Sequence, residues 1–164
     1  NNAYSETFKL PEPYIPKVGA RVMCLSNPTS KMSKSDPTGC VFIMDSPEEI
    51  ARKFKRAVTD SDTVVKRAEG KDGINNLMTI YSCFTGKSDE EIEREFDGRG
   101  YGDFKLAVGE ACADALAPVQ SEFARLTADK AYLESIMKQN AEFASYLANK
   151  TLSKVYRKVG FTAK

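Results

Sequence analysis

Two rhythms of apolar residues run along the chain, and the change from one to the other divides it. Residues 1–17 carry Pro11, Pro13 and Pro16, which lock φ and remove backbone donors, so an extended connection is expected there rather than a helix. Ala20-Arg21-Val22-Met23-Cys24-Leu25 then forms a short apolar run between Gly19 and the turn-forming pair Asn27-Pro28. A run of that length between turn residues predicts a buried strand. A polar loop from Ser26 to Gly39 follows, and Val41-Phe42-Ile43-Met44 is a second apolar patch.

From Ser46 onward the rhythm is helical. Ser46-Pro47-Glu48-Glu49 combines a capping-box pair with proline at the first helical position, and Ile50, Phe54, Ala57 and Val58 give that helix one apolar face. Ile74, Leu77, Met78, Tyr81 and Phe84 recur at helical spacing up to Gly86, a residue suited to the left-handed cap. Ser88-Asp89-Glu90-Glu91 opens a short acidic helix with Ile92 and Phe96 inside. A longer helix is expected from Tyr101, with Phe104, Val108, Ala111, Cys112, Ala115, Val119, Phe123 and Leu126 inward and a kink at Pro118. The remainder predicts one helix carrying Tyr132, Leu133, Ile136 and Met137, and another carrying Leu147, Ala148, Leu152, Val155, Tyr156 and Val159 up to Gly160.

The expected fold class is therefore mainly α: a helical bundle over residues 46–164, preceded in residues 1–45 by the tail of an α/β domain. A lone strand leaves backbone groups unpaired on both edges, which implies a chain that starts partway through a sheet-containing domain. No apolar run reaches the roughly 20 residues of a membrane span, and Asn1 to Lys9 do not read as a signal peptide.

Composition narrows the chemistry. The chain contains no histidine, so Ser-His-Asp and Cys-His catalysis are excluded within it. Cys24, Cys40, Cys83 and Cys112 are scattered without a C-x-x-C pair; they read as reduced thiols, and no metal site is expected. The net charge of +1 conceals an uneven distribution. Six acids lie between Asp89 and Asp97, whereas the stretch from Phe143 to Lys164 has none and carries Lys150, Lys154, Arg157, Lys158 and Lys164. That end suits a polyanion.

The segment richest in chemistry is Lys31-Met32-Ser33-Lys34-Ser35, followed by Asp36-Pro37. Two lysines three residues apart among small hydroxyl residues gather two ammonium groups and several donors. Such a group suits a triphosphate whose charge shifts toward a leaving pyrophosphate as the α-phosphorus is attacked. Lysine supplies a flexible point charge, fitting for a loop that closes and reopens. Asp36 reads as a cap for the turn after it.

This segment reads KMSKS and resembles the second signature of class I aminoacyl-tRNA synthetases. Its surroundings, from Pro11-Glu12-Pro13-Tyr14-Ile15-Pro16 through Gly19-Ala20-Arg21-Val22-Met23 to Asp36-Pro37, resemble the tryptophanyl-tRNA synthetases of the bacterial type. The likeness continues in Ala57-Val58-Thr59-Asp60-Ser61, Gly73-Ile74-Asn75-Asn76-Leu77, Ile80-Tyr81 and Tyr101-Gly102-Asp103-Phe104-Lys105, and runs to Val159-Gly160-Phe161.

The resemblance implies ATP-dependent activation of tryptophan and its transfer to tRNA(Trp), in a cytoplasmic enzyme. It implies that Lys31, Met32, Ser33, Lys34 and Ser35 are the ATP-binding loop. Lys31 and Lys34 would be catalytic in stabilising pyrophosphate as it leaves, and Val22 would offer backbone contacts to adenine. It further implies Mg²⁺ as a companion of ATP, the end of a Rossmann-like catalytic domain at residues 1–45, a tRNA-binding helical domain at residues 46–164, and a homodimer at full length. The family's HIGH-like motif and tryptophan pocket lie upstream of the matched region. A histidine-free chain holds no HIGH, so half an active site is expected here, inactive alone.

The terminal helix is the second constellation. Lys150, Lys154, Arg157 and Lys158 share one side of it, as phosphate recognition requires, and Tyr146 or Tyr156 offers a ring on which an unpaired base can stack. The resemblance assigns this region to the tRNA; Lys53, Lys55 and Arg56 on the first helix are the next basic candidates in the sequence. The alternatives are a tyrosyl-tRNA synthetase, which shares the loop, and a non-catalytic helical RNA-binding module.

Overall fold

The computed structural model describes residues 1–162; Lys164, counted above in the basic stretch, lies outside them. Five helices form: α1 Pro47–Lys55, α2 Asp72–Thr85, α3 Asp89–Glu95, α4 Tyr101–Ala128 and α5 Lys130–Val159. Their ends follow the capping chemistry in the sequence. Ser46 and Glu49 make a reciprocal capping box on α1, with Pro47 in the first turn, and Ser88 and Glu91 make another on α3. Each box satisfies N–H groups that the first turn leaves without partners. Gly86 and Gly160 close α2 and α5 in the left-handed conformation, at φ 74° and 77°, a region costly for residues with a Cβ.

The chain divides into two compact units, Ile15–Glu122 and Asn1–Tyr14 with Phe123–Lys164. The first holds the core. Ile50 and Phe54 of α1, Ile74, Leu77 and Met78 of α2, Ile92 of α3 and Phe104 and Val108 of α4 are fully buried. Tyr81, Phe96 and Phe104 meet edge to face with ring centroids 4.9–5.8 Å apart. Helices approach other backbone closely at two glycines. A Cβ on Gly73 would stand 2.1 Å from the Val58 carbonyl oxygen, and one on Gly109 would stand 3.4 Å from Ala51 Cα.

Polar ties bind the connections to this core. Arg67 reaches both carboxylate oxygens of Asp89, at 2.5 and 3.0 Å, and also the Asn75 carbonyl and the Thr79 hydroxyl. Tyr101 donates to Asp60 at 2.8 Å and accepts from Lys71 at 3.2 Å. Burial works against the Asp60 carboxylate, yet hydrogen bonds from Tyr101 and the Asp62 backbone outweigh it and hold the carboxyl below its usual range.

The second unit holds the whole of the long helix α5, which has no buried residue. Asp129 caps its start by accepting from the Tyr132 N–H at 3.0 Å. At its other end Tyr156 and Phe161 meet edge to face at 5.8 Å, and Lys158 donates to the Glu6 carbonyl.

Three sequence expectations change. The first is the fold class: the described residues contain no β-strand, only one antiparallel bridge between Met23 and Lys31. The expected tail of a Rossmann-like α/β catalytic domain is therefore corrected to an irregular hairpin in a helical protein. The physical reason is that the backbone around Met23 finds its partners without a sheet. The Leu25 N–H donates to the Gly39 carbonyl at 2.9 Å, the Leu25 carbonyl accepts from the Val58 N–H at 2.8 Å, and Met23 pairs with the Asn76 side chain. Second, the two helices expected after Asp129 are one, α5, whereas α4 runs through Pro118 as the apolar positions on both sides of that proline predict. Third, Ala115, Val119 and Phe123, expected inward, are exposed, the last two by about half. Among the described residues no helix is long and apolar enough to cross a membrane.

Candidate functional site

The KMSKS segment begins as one arm of a tight hairpin. Asn27 accepts from the Thr29 hydroxyl at 2.7 Å and donates to Ser30 Oγ at 3.0 Å, and the Ser30 N–H donates to the Asn27 carbonyl at 3.0 Å. This is the side-chain-stabilised turn that Asn before proline favours. The arms then pair through the Cys24 N–H to the Ser30 carbonyl at 2.8 Å and the Met32 N–H to the Val22 carbonyl at 3.0 Å. Met32 is half-buried, packed with Val22 and Val41 against the core. The three also line an apolar cleft of about 190 Å³ with Phe54, Ile80 and Cys112.

Past Met32 the segment turns back. The Asp36 N–H donates to the Ser33 carbonyl at 3.0 Å, and the Ser35 N–H approaches Ser33 Oγ at 3.3 Å. Asp36 then fastens the far end. One oxygen accepts from Ser26 Oγ at 2.6 Å and Cys24 Sγ at 3.2 Å; the other accepts from the Thr38 N–H and hydroxyl and the Gly39 N–H. These bonds favour the ionised form, Ser26 most strongly and then Thr38 and Cys24, and hold the carboxyl well below the usual carboxylate range. Gly39 is required here: a Cβ would lie 2.1 Å from Cys24 Sγ. Asp36 caps the turn after the loop, as its position in the sequence suggests.

Lys31, Ser33, Lys34 and Ser35 are exposed, with Met32 turned into the protein. The two ammonium groups have no hydrogen-bond or ion-pair partner among the described residues. The hairpin therefore presents two unpaired positive charges, three residues apart in sequence, on a segment whose backbone is held on either side. Val22 has its carbonyl committed to the Met32 N–H; a carbonyl has two lone pairs, so a second donor still finds an acceptor there. Among the described residues, no group of three or more cysteine, aspartate and glutamate side chains is placed to hold a metal ion. Both Asp36 oxygens are already occupied by the donors named above.

Lys150, Lys154 and Arg157 are exposed on α5 at spacings of four and three, one face of a helix. Tyr146, four residues earlier and 62% exposed, shares that face. Tyr156 instead packs on Phe161, and Lys158 is engaged with Glu6. The other basic group is less free than its sequence implies. Lys53 is largely buried and bonds Asp45 at 2.5 Å and the Cys40 carbonyl at 2.8 Å, while Lys55 and Arg56 are exposed.

Sequence reasoning misses the support beneath the loop. Asn76 falls in a family-like stretch that, as sequence, suggests no role for it. A signal is present all the same, because it is a polar residue flanked at helical spacing by Ile74, Leu77, Met78 and Ile80, all buried.

Residues 1–117 match the model of the tRNA synthetases class I (W and Y) family. A tryptophan–tRNA ligase of Clostridium acetobutylicum is 52% identical over 163 residues, covering 98% of this chain and 49% of that protein. One from Wolinella succinogenes is 49% identical with the same coverage. Among solved structures, tryptophanyl-tRNA synthetase from Mycoplasma pneumoniae superimposes with a TM-score of 0.78 at 25% identity, over 90% of this chain and 47% of that one. The Campylobacter jejuni enzyme, complexed with ADP and tryptophan, gives a TM-score of 0.68 at 26% identity, over 98% of this chain and 50% of that one. The chain spans about half the length of the curated relatives it matches. Family model, relatives and structural neighbours agree, and the chain belongs to the class I tRNA synthetases of the tryptophan and tyrosine family, on the side of the tryptophan–tRNA ligases.

Proposed function

We propose that this chain supplies the phosphate loop and the tRNA-facing helix of a tryptophan–tRNA ligase, which activates tryptophan with ATP and transfers it to tRNA(Trp). The observation that carries the reading is the hairpin-mounted KMSKS segment, with Lys31 and Lys34 exposed and unpaired between two fixed ends. In activation the carboxylate of tryptophan attacks the α-phosphorus of ATP, and the bond to the bridging oxygen of pyrophosphate breaks. Negative charge grows on the pyrophosphate as it leaves. The Lys34 and Lys31 ammonium groups would meet that charge, and the Ser33 and Ser35 hydroxyls would donate to phosphate oxygens. Positive groups already in place where charge develops favour the transition state over the bound substrate. The Val22 backbone would face the adenine, and magnesium would arrive with the ATP.

Tryptophan recognition falls to residues beyond this chain in the proposed enzyme, since its sequence holds neither HIGH nor a recognisable amino-acid pocket. The ADP and tryptophan in the Campylobacter jejuni complex support this choice of substrates. Lys150, Lys154 and Arg157 would bind tRNA phosphates, with Tyr146 stacking on a base. The complete enzyme would be a homodimer.

Steady-state kinetics of Lys34→Ala in the complete ligase test the loop. The expected result is a fall in kcat for tryptophan-dependent pyrophosphate exchange of about 100-fold or more, with little change in KM for ATP. A raised KM with kcat intact would refute the role given to Lys34. The isolated chain is expected to show no exchange above background, and activity from it alone would contradict the division of the site.

A further inference from the structure

A phosphate loop works only if its charges stand where they are needed, and one buried residue holds this hairpin in place from behind. Asn76, on α2, is 5% exposed, a buried polar residue among the apolar positions Ile74, Leu77, Met78 and Ile80 of its own helix. Its carboxamide meets the Met23 peptide in both directions. The Met23 N–H donates to Oδ1 at 2.9 Å, and Nδ2 donates to the Met23 carbonyl at 2.9 Å. A primary amide thus supplies the donor and acceptor pair that a neighbouring strand would give. Met23 in turn faces Lys31 across the single bridge, with backbone bonds on either side of it. The path from helix to loop has three residues: Asn76, Met23 and Lys31.

We propose that Asn76 is a positioning residue for the activation reaction, setting where the KMSKS hairpin and its lysines lie relative to α2. This rests on the reading of Lys31 to Ser35 as the phosphate loop. Asparagine is specific for the task. Leucine would fill the space and leave both Met23 groups without partners. Glutamine is a methylene longer, in a site already in contact with backbone. Aspartate keeps the acceptor for the Met23 N–H but turns a lone pair toward the Met23 carbonyl, so half the clamp becomes repulsive. Because the hydrogen bonds of Asn76 to the hairpin go to the Met23 backbone and not to Lys31 or Lys34, its effect on the reaction passes through position. Misplacing catalytic groups by about an ångström costs rate by up to roughly 100-fold.

The test compares Asn76→Asp with Lys34→Ala and the parent in the complete ligase. Pyrophosphate exchange is measured at varied ATP, and amide hydrogen exchange is followed across the chain. For Asn76→Asp the expected result is a fall in kcat of about 10- to 100-fold, with KM for ATP within about threefold. Hydrogen exchange should quicken in residues 22–32 and stay unchanged in the cores of α2 and α4. A folded Asn76→Asp enzyme with parental kcat, beside a slowed Lys34→Ala enzyme, would overturn the proposal alone. If Lys34→Ala also kept its kcat, the reading of the loop would fall and the proposal with it. Should Asn76→Asp fail to fold, the parent protein decides. A Met23 amide exchanging as slowly as those of the α2 core supports the clamp, and one exchanging as fast as the exposed loop refutes it.

Discussion

α2 and α5 show how little a helical pattern says about burial. α2 has 14 residues and buries seven of them; α5 has 30 and buries none. Both carry apolar residues at helical spacing, and both end on a left-handed glycine. Around α2, large side chains converge from α1, α3 and α4, whereas on α5 Met137 is 70% and Phe143 64% exposed. In proteins, tertiary packing of an apolar face normally supplies most of a helix's stability. The region around α2 can therefore hold a loop in place, while α5 offers a long accessible face. The proposed roles follow the same division, with activation in Ile15–Glu122 and tRNA binding on α5.

The largest expected effect separates two phenylalanines. Phe104→Ala removes a fully buried ring that packs on Tyr81 and Phe96 and should cost about 3–5 kcal/mol. Phe143→Ala on α5 should change stability by about 0.5 kcal/mol or less. Urea unfolding of both variants measures the difference, and equal losses would break the comparison.

Acid should reach the hairpin next. The Asp36 carboxyl is held below its ordinary value of 3.8 in the folded chain. A carboxyl depressed by folding contributes stability above its unfolded pKa, and that contribution fades as pH falls from there through the folded value. Asp36→Asn should therefore be less stable than the parent at pH 7, with the gap narrowing below about pH 4. Denaturant midpoints at pH 7 and pH 3 give the answer; a gap that widens in acid would contradict the account of Asp36.

Why these features differ in legibility from sequence is physical. Helix ends can be read because caps are local: Ser46 with Glu49, Ser88 with Glu91, Gly86 and Gly160 each act within a few residues. KMSKS can be read because its chemistry lies in five consecutive residues. The pattern at residues 20–25 points wrongly to a strand because an apolar run records burial, and here the edges are met by Gly39, Val58 and an asparagine side chain instead of strands. The clamp of Asn76 on Met23 joins residues 53 apart in sequence, beyond any periodic pattern. Inward positions on the later helices mislead for the reverse reason, since periodicity shows a face without showing what covers it.

The smallest effect on stability is expected at the basic face of α5. Changing Lys150, Lys154 and Arg157 together to glutamate should alter stability by about 0.5 kcal/mol or less per site, because all three are exposed. In the complete ligase the same variant should bind tRNA(Trp) more weakly. Its salt dependence should flatten by nearly one unit of slope for each phosphate that no longer has a cationic partner. A salt titration of tRNA affinity, with circular dichroism to confirm equal helicity, would show whether the face is used. Unchanged affinity and slope would leave it a solvated surface.

The division of labour is tested most directly by measuring both steps, pyrophosphate exchange and tRNA(Trp) affinity, on the complete ligase carrying either Lys34→Ala or the triple glutamate change. The account predicts opposite losses: Lys34→Ala slows exchange about 100-fold with tRNA affinity kept, and the triple variant loses affinity with exchange kept. Both variants impairing the same step, or neither impairing the step assigned to it, would contradict the account.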